Sequence, residues 1–327
     1  MIISNDIIKM KPPYQISDKI LWLVASISEK IGAINAAYLY KPATELRKKN
    51  RIKTIQSSLE IEGNTLTEAQ ITAVLENKRV IAPQKDIIEV QNAIKVYEQL
   101  QQINPYRLKD LEKAHGVLMN GLIAHAGKLR ISNVGIVKAS KVEHVAPGGA
   151  MVKGLMNDLF AYLKKSNDLL LIKSCVFHYE FEFIHPFIDG NGRMGRLWQT
   201  LLLMQQYPVF EFLPVESLIK QRQEEYYAKL SEADKKGSST PFIEFMLEII
   251  QNALDELLQS QNKTLRTEDR IALFKEKVEQ QTFTRKDYLL HFKNISAPTA
   301  SRDLKWAVDK GILSKSGTLR MTTYHFL

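Results

Sequence analysis

The chain of 327 residues contains a single cysteine, Cys175, so it cannot form an internal disulfide, and a reducing compartment is the expected setting. It lacks any run approaching the roughly 18 apolar residues of a membrane helix. The longest early apolar stretch, Ile20-Leu21-Trp22-Leu23-Val24-Ala25, lies beyond Lys9, Lys11 and Asp18, so it reads as one face of a core helix and not as a signal peptide or a span. There is no internal repeat and no low-complexity tract. These absences exclude disulfide-stapled, membrane-spanning and repeat architectures and leave an expected cytoplasmic globular protein without membrane contact. The length exceeds the usual size of a single core, so two or three units are expected. Acidic residues are outnumbered, 36 against 45 basic, for a net charge of +9. Much of that excess is local, because the segment from Lys263 to Leu327 has thirteen Lys/Arg and seven Asp/Glu.

The chemistry concentrates in twelve residues, His185-Pro186-Phe187-Ile188-Asp189-Gly190-Asn191-Gly192-Arg193-Met194-Gly195-Arg196. Gly190 and Gly192 flank Asn191 just ahead of the apolar run Leu197-Trp198-Gln199-Thr200-Leu201-Leu202-Leu203-Met204, which reads as a buried helix. Glycines at a helix start leave backbone N–H groups free to face an anion, and the positive end of the helix dipole adds to the attraction. Arg193 and Arg196, three apart, share a helical face and reach charged oxygens from the first turn. Asp189 is placed to hold Mg²⁺ against a di- or triphosphate, since that ion is satisfied by one or two carboxylates plus phosphate oxygens. His185, before the loop, can take a proton from an incoming hydroxyl as a neutral imidazole. Pro186 restricts the backbone around His185, and Phe187 is a natural core anchor. Each residue alone has an ordinary structural role; their concurrence points to phosphoryl or nucleotidyl transfer.

The segment resembles the signature of the Fic domain family, His-Pro-Phe-x-(Asp/Glu)-Gly-Asn-Gly-Arg-x-x-Arg, at every defined position. The resemblance implies transfer of AMP from ATP to a Ser, Thr or Tyr hydroxyl of a target protein with release of pyrophosphate. It makes His185 the general base and Asp189 the Mg²⁺ ligand. Gly190, Asn191 and Gly192 form the anion hole, Arg193 steadies the phosphates and Arg196 binds the γ-phosphate. His178-Tyr179-Glu180-Phe181-Glu182-Phe183-Ile184 resembles the family's helix leading into the catalytic loop. Gly127-Lys128-Leu129-Arg130 through His144-Val145-Ala146-Pro147 resembles its β-hairpin flap, which pairs with an extended target segment.

A second motif, Ser58-Leu59-Glu60-Ile61-Glu62-Gly63-Asn64, places Ser58 and Glu62 on one helical face, with Gly63 a natural helix stop. It resembles the family's inhibitory motif, (Ser/Thr)-x-x-x-Glu-(Gly/Asn). The implied logic is competition: Glu62 paired with Arg196 occupies the fork that should receive the γ-phosphate. In some relatives the same glutamate is implicated in removing AMP from the target, so the resemblance leaves both roles open for Glu62.

The expected fold is mainly α, a Fic-type helical bundle with a β-hairpin flap, plus a C-terminal winged helix-turn-helix domain. The expected units are an N-terminal helical region over 1–105 carrying the inhibitory motif, a catalytic core over 106–259 and a winged helix over 260–327. Helices are expected over 43–61, from the capping box at Thr67, and over 86–100, 108–124, 154–164, 169–183, 191–206, 217–231 and 241–258. In the tail they are expected over 270–279, from Thr284 and from Ser296 to Gly311, followed by a hairpin over 312–322 around Gly317. Thr299, Ser301, Arg302 and Lys305 would lie on the recognition helix, Lys315 and Arg320 on the wing, with Asp303 and Asp309 interrupting the basic face. That domain is expected to meet DNA or a protein partner, and a homo-oligomer is a further expected assembly. Two alternatives stand beside AMP transfer: a Fic-type transferase of another phosphate-containing group, or a nucleotide-responsive DNA-binding regulator.

Overall fold

The computed structural model describes residues 11–36, 44–138, 141–261, 266–278, 282–292, 295–318 and 322–327. The chain forms two compact units, Met1–Leu257 and Leu258–Leu327. In the first, helices α1 (Asp18–Ala36), α2 (Thr44–Ile61), α3 (Glu68–Leu75), α4 (Gln84–Glu98) and α5 (Leu108–Leu118) precede an antiparallel hairpin of β1 (Gly135–Lys138) and β2 (Lys141–Val145). Then follow α6 (Gly149–Lys165), α7 (Leu170–Ile184), α8 (Asn191–Met204), α9 (Val215–Gln221), α10 (Gln223–Lys236) and α11 (Thr240–Gln261). Among the described residues no helix is long and apolar enough to cross a membrane.

Helices α7 and α8 form the hub. Every residue of α7 from Leu171 to Tyr179 is buried, and α8 is buried from Arg193 to Leu203, so both are enclosed around most of their circumference, as helices inside a bundle are. Phe177, Phe181, Phe187 and Trp198 are fully buried between and around them. The Trp198 indole N–H donates to the Pro105 carbonyl at 2.9 Å, which satisfies its polar edge in the core.

Local rules set several boundaries. The capping box at Thr67 forms as the sequence predicts, with Gln70 Oε1 accepting from the Thr67 N–H at 2.9 Å. The helix expected over 108–124 stops at Leu118, because Asn92 Nδ2 donates to the carbonyls of Leu118 at 3.2 Å and Asn120 at 2.8 Å, and Gly121 then turns the chain at φ 73°. The helix expected over 217–231 is broken in two at Arg222 (φ −112°, ψ 34°). Its guanidinium pairs forward with Glu225 at 2.7 Å and across to Glu248 at 3.2 Å, holding the chain where one helix stops and the next begins.

The second unit contains α12 (Thr267–Val278), β3 (Phe283–Thr284), α13 (Arg285–His291), α14 (Ala297–Asp309), β4 (Leu313–Ser316) and β5 (Thr323–Phe326), with sheet order β3-β5-β4. Thr284 and Asp287 form a second capping box, and Ser296 caps α14. The expected hairpin over 312–322 is displaced: β4 pairs with β5, Leu313 against Phe326 and Ser316 against Thr323, so the return strand begins beyond 322. That register buries Phe326 beside Phe274 and Phe283, an apolar gain the alternation around Gly317 does not encode. Arg320 lies outside the described residues.

Asp303 does not interrupt the exposed face of α14, contrary to the expectation. It is buried, and its carboxylate accepts from Arg270 Nε at 2.6 Å, Arg270 Nη2 at 2.7 Å and the Thr267 hydroxyl at 2.7 Å. Burial works to raise its pKa, but the Arg270, Thr267 and Tyr288 hydrogen bonds outweigh it and hold the carboxyl below its ordinary value. A depressed carboxylate contributes stability above its unfolded pKa, which is lost as pH falls through the folded value. Asp303→Ala takes the carboxylate away from the buried Arg270 guanidinium and should cost the second unit about 3–5 kcal/mol at pH 7. Hydrogen exchange across α12 and α14 reads that loss; unchanged exchange would show the pair to be idle.

Candidate active site

The loop between α7 and α8 is built by two left-handed residues. His185 caps α7 at φ 49°, ψ 61°, its N–H still bonded to the Phe181 carbonyl at 3.0 Å, and Gly190 caps α8 at φ 85°. Positive φ costs a residue with a Cβ about 1–2 kcal/mol, so His185 must be held by its surroundings, whereas Gly190 is free of that cost. Buried Asn191 closes the loop on itself. Its Oδ1 accepts from the Phe187 N–H and its Nδ2 donates to the Phe187 carbonyl, both at 2.9 Å. Asn191 therefore offers an incoming anion its main-chain N–H and not its side chain. The N–H of Met194 is the first to bond back, to Gly190 O at 3.0 Å, leaving the earlier N–H groups of α8 without an intrahelical acceptor.

The two arginines face different partners. Arg193 is buried; its Nη1 donates to Glu89 Oε1 on α4 at 3.0 Å and its Nη2 to Asp189 Oδ1 at 3.3 Å. Glu89 in turn accepts from Asn64 Nδ2 at 2.8 Å, and Asn64 also donates to the Asp86 carbonyl at 3.1 Å. Arg196, 1% exposed at its side chain, donates from Nη2 to Glu62 Oε1 at 2.8 Å and to the Ser58 carbonyl at 2.9 Å, and from Nε to the Ser58 hydroxyl at 3.2 Å. Burial disfavours the guanidinium charge, yet the adjacent Glu62 carboxylate more than compensates and raises the Arg196 pKa.

Sequence explains how Glu62 arrives there. Gly63 takes φ 91° and closes α2 with a Schellman pair, Asn64 N–H to Leu59 O at 3.1 Å and Gly63 N–H to Glu60 O at 3.1 Å. Glu62 then occupies the C-cap, and Ser58 presents both hydroxyl and carbonyl one turn back on the same face. A Cβ on Gly192 would collide with Glu62 Oε1 and approach Arg196 Nη1 to 3.0 Å, so glycine here admits the carboxylate.

Asp189 is about half exposed at its side chain (52%), and its Oδ1 also accepts from the Gly190 N–H at 2.6 Å. Among the described residues no group of three or more His, Cys, Asp or Glu gathers to make a closed metal cage. A single exposed carboxylate beside an anion-receptive helix start fits Mg²⁺ bound jointly with phosphate oxygens. A cavity of about 190 Å³ opens between Glu62, His185, Gly192, Arg196, Tyr227 and Asp234. A larger one of about 270 Å³ lies at the other end of α2, between Arg47, Arg51, Ile52, Leu75 and Phe212, and contains none of the motif residues.

Three supporting residues lie outside the twelve-residue motif. His115 on α5 is fully buried and stacks on Phe187 with ring centroids 3.6 Å apart. Its Nδ1 accepts the Gly127 N–H at 2.8 Å, so the proton lies on Nε2, which donates to the Asp189 carbonyl at 2.9 Å. His178 sits under the helix at Gly195, donates from Nδ1 to Gln199 Oε1 at 2.7 Å and accepts the Tyr226 hydroxyl at 3.0 Å. Burial pushes both imidazoles down, His115 to about 4 and His178 to about 3, so they are neutral braces at pH 7. The third is Arg130, whose bonds run to the main chain of the loop. For His115 the one sequence signal is its place on the apolar side of α5, beside Leu111, Ala114 and Leu118, whereas His178 and Arg130 stand in the segments that resemble the family's pre-loop helix and flap.

With this geometry in view, comparison with known proteins is direct. Residues 90–203 match the model of the Fic/DOC family. The crystal structure of a Fic family protein from Desulfovibrio desulfuricans G20 superposes with a TM-score of 0.75 at 38% identity, covering 97% of this chain and 98% of that one. The chain belongs to the Fic family. Curated relatives named protein adenylyltransferase Fic include those of Drosophila grimshawi (31% identity over 243 residues, 71% of this chain and 48% of the relative) and Nematostella vectensis (27% over 256 residues, 75% and 57%). This Fic chain thus spans about half the length of the curated relatives it matches. The fold, a helical bundle bearing a β-hairpin, is the one its sequence predicts.

Neutral His115 contributes stability that is complete above its unfolded pKa near 6.5 and is lost as pH falls toward 4, an effect of about 3 kcal/mol. His115→Phe keeps the stack on Phe187 and removes both hydrogen bonds. The stability gap between the parent Fic protein and this variant should therefore narrow by about that amount between pH 7 and 4 in urea titrations. A gap independent of pH would contradict the neutral-brace assignment.

Proposed function

We propose that this Fic protein transfers AMP from ATP to a Ser, Thr or Tyr hydroxyl of a target protein and is restrained by its own Glu62. The observation that carries the reading is the pairing of Arg196 with Glu62 and Ser58 beside a complete His185-to-Arg196 loop. Names of curated relatives, each a protein adenylyltransferase Fic, support the same chemistry. Transfer forms a bond from the target oxygen to the α-phosphorus and breaks the bond from that phosphorus to the bridging oxygen, releasing pyrophosphate. His185 accepts the hydroxyl proton. The main-chain N–H groups of Asn191 and Gly192 face the α- and β-phosphates, joined by that of Gly190 when it leaves Asp189 Oδ1; Arg193 steadies them, and Arg196 receives the γ-phosphate once Glu62 withdraws. Asp189 would hold Mg²⁺, which neutralises phosphate charge in the transition state. The β1–β2 hairpin would add the target as a strand, leaving its hydroxyl beside His185. The cytoplasm is the setting this reading expects.

A second binding role is proposed for the C-terminal unit, a winged helix-turn-helix that contacts duplex DNA. The observation favouring DNA over a protein partner is the inward orientation of Asp303. It leaves Arg285, Arg302 and Lys305 exposed together, with Arg285 Nη1 donating to the Ser301 hydroxyl at 2.9 Å across α13 and α14. Such a face reaches phosphates without an opposing carboxylate at its centre.

Two experiments follow. Intact-mass analysis after incubation with Mg-ATP should show an AMP-sized gain on Glu62→Gly, faster than on the parent by about 10- to 100-fold, as expected when one charge-assisted contact stops competing. The gain should vanish on adding His185→Ala; transfer that survives His185→Ala would refute the base assignment. For the C-terminal unit, duplex binding should weaken with salt, and Lys305→Ala should lower the slope of log K against log salt by about 1. A slope indifferent to Lys305 would remove α14 from the contact.

A further inference from the structure

We infer that Arg130 is a positioning residue that fastens the His185 main chain and both legs of the β1–β2 hairpin into one unit. Base and target strand thereby keep a fixed register. The inference rests on the proposed roles of His185 and the hairpin. Arg130 is 3% exposed, and among the described residues its guanidinium donates to main-chain carbonyls. Its Nε donates to His185 O at 2.7 Å and its Nη2 to Ile184 O at 2.9 Å. From the same guanidinium, Nη1 donates to Ser132 O at 2.7 Å and Nη2 to Pro147 O at 2.8 Å. Its own N–H donates to Pro186 O at 2.9 Å.

Ile184 ends α7 and His185 caps it, so two carbonyls at the negative end of the helix dipole converge on one cation. His185 holds φ 49°, a conformation a histidine keeps only when its surroundings over-determine it. Arg130 supplies that restraint through the His185 carbonyl on one side and the Pro186 carbonyl on the other. Ser132 precedes β1 and Pro147 follows β2, so the same guanidinium ties both legs of the hairpin at its root. A local brace accompanies it, Gly149 N–H to Asn133 Oδ1 at 3.0 Å, but that bond does not reach the catalytic loop.

Burying a guanidinium against neutral carbonyls is expensive, and burial lowers the Arg130 pKa from its ordinary value. The arrangement is intelligible when several separate chain segments need a common anchor. Arginine offers five N–H donors in a rigid plane, whereas lysine offers three from a single point and cannot span the same acceptors. Displacing a reacting group by about 1 Å costs on the order of 100-fold in rate, and that is the scale of movement a lost anchor permits.

The test uses the full chain carrying Glu62→Gly, with Arg130→Ala and Arg130→Lys added singly. Hydrogen exchange should rise together at 132–147 and at 184–187 in Arg130→Ala, with α2 and α8 unchanged, and rise by an intermediate amount in Arg130→Lys. Self-modification at saturating Mg-ATP should slow by about 100-fold in Arg130→Ala and less in Arg130→Lys. Half-saturating ATP should stay within about twofold, since Arg196 and the phosphate-facing N–H groups are untouched. Exchange that rises in only one of the two segments, or throughout the first unit, would overturn the inference, as would a rate loss expressed wholly in the ATP requirement. If the Glu62→Gly parent transfers nothing, the adenylyl-transfer reading fails while the exchange data still decide the coupling. If Arg130→Ala does not fold, Arg130→Lys carries the same comparison.

Discussion

A buried guanidinium must have partners, and in this protein the partners of Arg196 are the end of one helix. Arg196 projects from the second turn of α8 into a space where Glu62, the Ser58 hydroxyl and the Ser58 carbonyl meet it within 3.2 Å. The cost of stripping water from a cation is offset only while that set of acceptors, or another of equal charge, is in place. This requirement fixes α2 against α8, makes Gly63 necessary as the stop that turns Glu62 inward, and makes Gly192 necessary as the gap that admits it. It also defines what can replace the carboxylate: an anion of similar reach, offering several oxygens to a planar fork.

Around that contact two of the site's braces carry no charge. His115 and His178 are kept neutral by burial and act through fixed tautomers, one carrying its proton on Nε2 to hold the Asp189 carbonyl, the other on Nδ1 to hold Gln199. Three charged groups and one amide form a second chain, Asn64 to Glu89 to Arg193 to Asp189, running from just past the end of α2 to the carboxylate beside the anion-receptive loop. Two links therefore join the α2 terminus to α8 and the loop before it, one through each arginine. In the proposed mechanism withdrawal of α2 would loosen both, so access for ATP and freedom of Asp189 would change together.

Much of this was legible in the chain because the informative residues obey local rules. The twelve residues from His185 to Arg196 are contiguous; Thr67 and Thr284 announce helices by capping boxes; Gly63 announces a stop. The failures share a physical cause, which is that the deciding partner lies far away in sequence. Asn92 ends α5 by reaching 26 residues forward to the Leu118 carbonyl. Arg222 divides a periodic helix because Glu248 draws it aside. The register of β5 follows from burying Phe326 against Phe274 and Phe283. Asp303 sits among polar residues that read as a solvated face, yet Arg270 turns it into the core. Glu89 looks like an ordinary helical charge, and Arg130 is legible only as part of the flap segment, until the loop they hold is placed beside them.

Competition at Arg196 is most directly measured by calorimetry of ATP and ADP binding to the parent protein and to Glu62→Gly, each with Mg²⁺. If Glu62 occupies the seat of the γ-phosphate, the substitution should tighten ATP by about 10-fold or more, the worth of a charge-assisted contact, and leave ADP, which has no γ-phosphate, nearly unchanged. Equal tightening of both nucleotides, or of neither, would contradict the central claim that one fork serves two claimants.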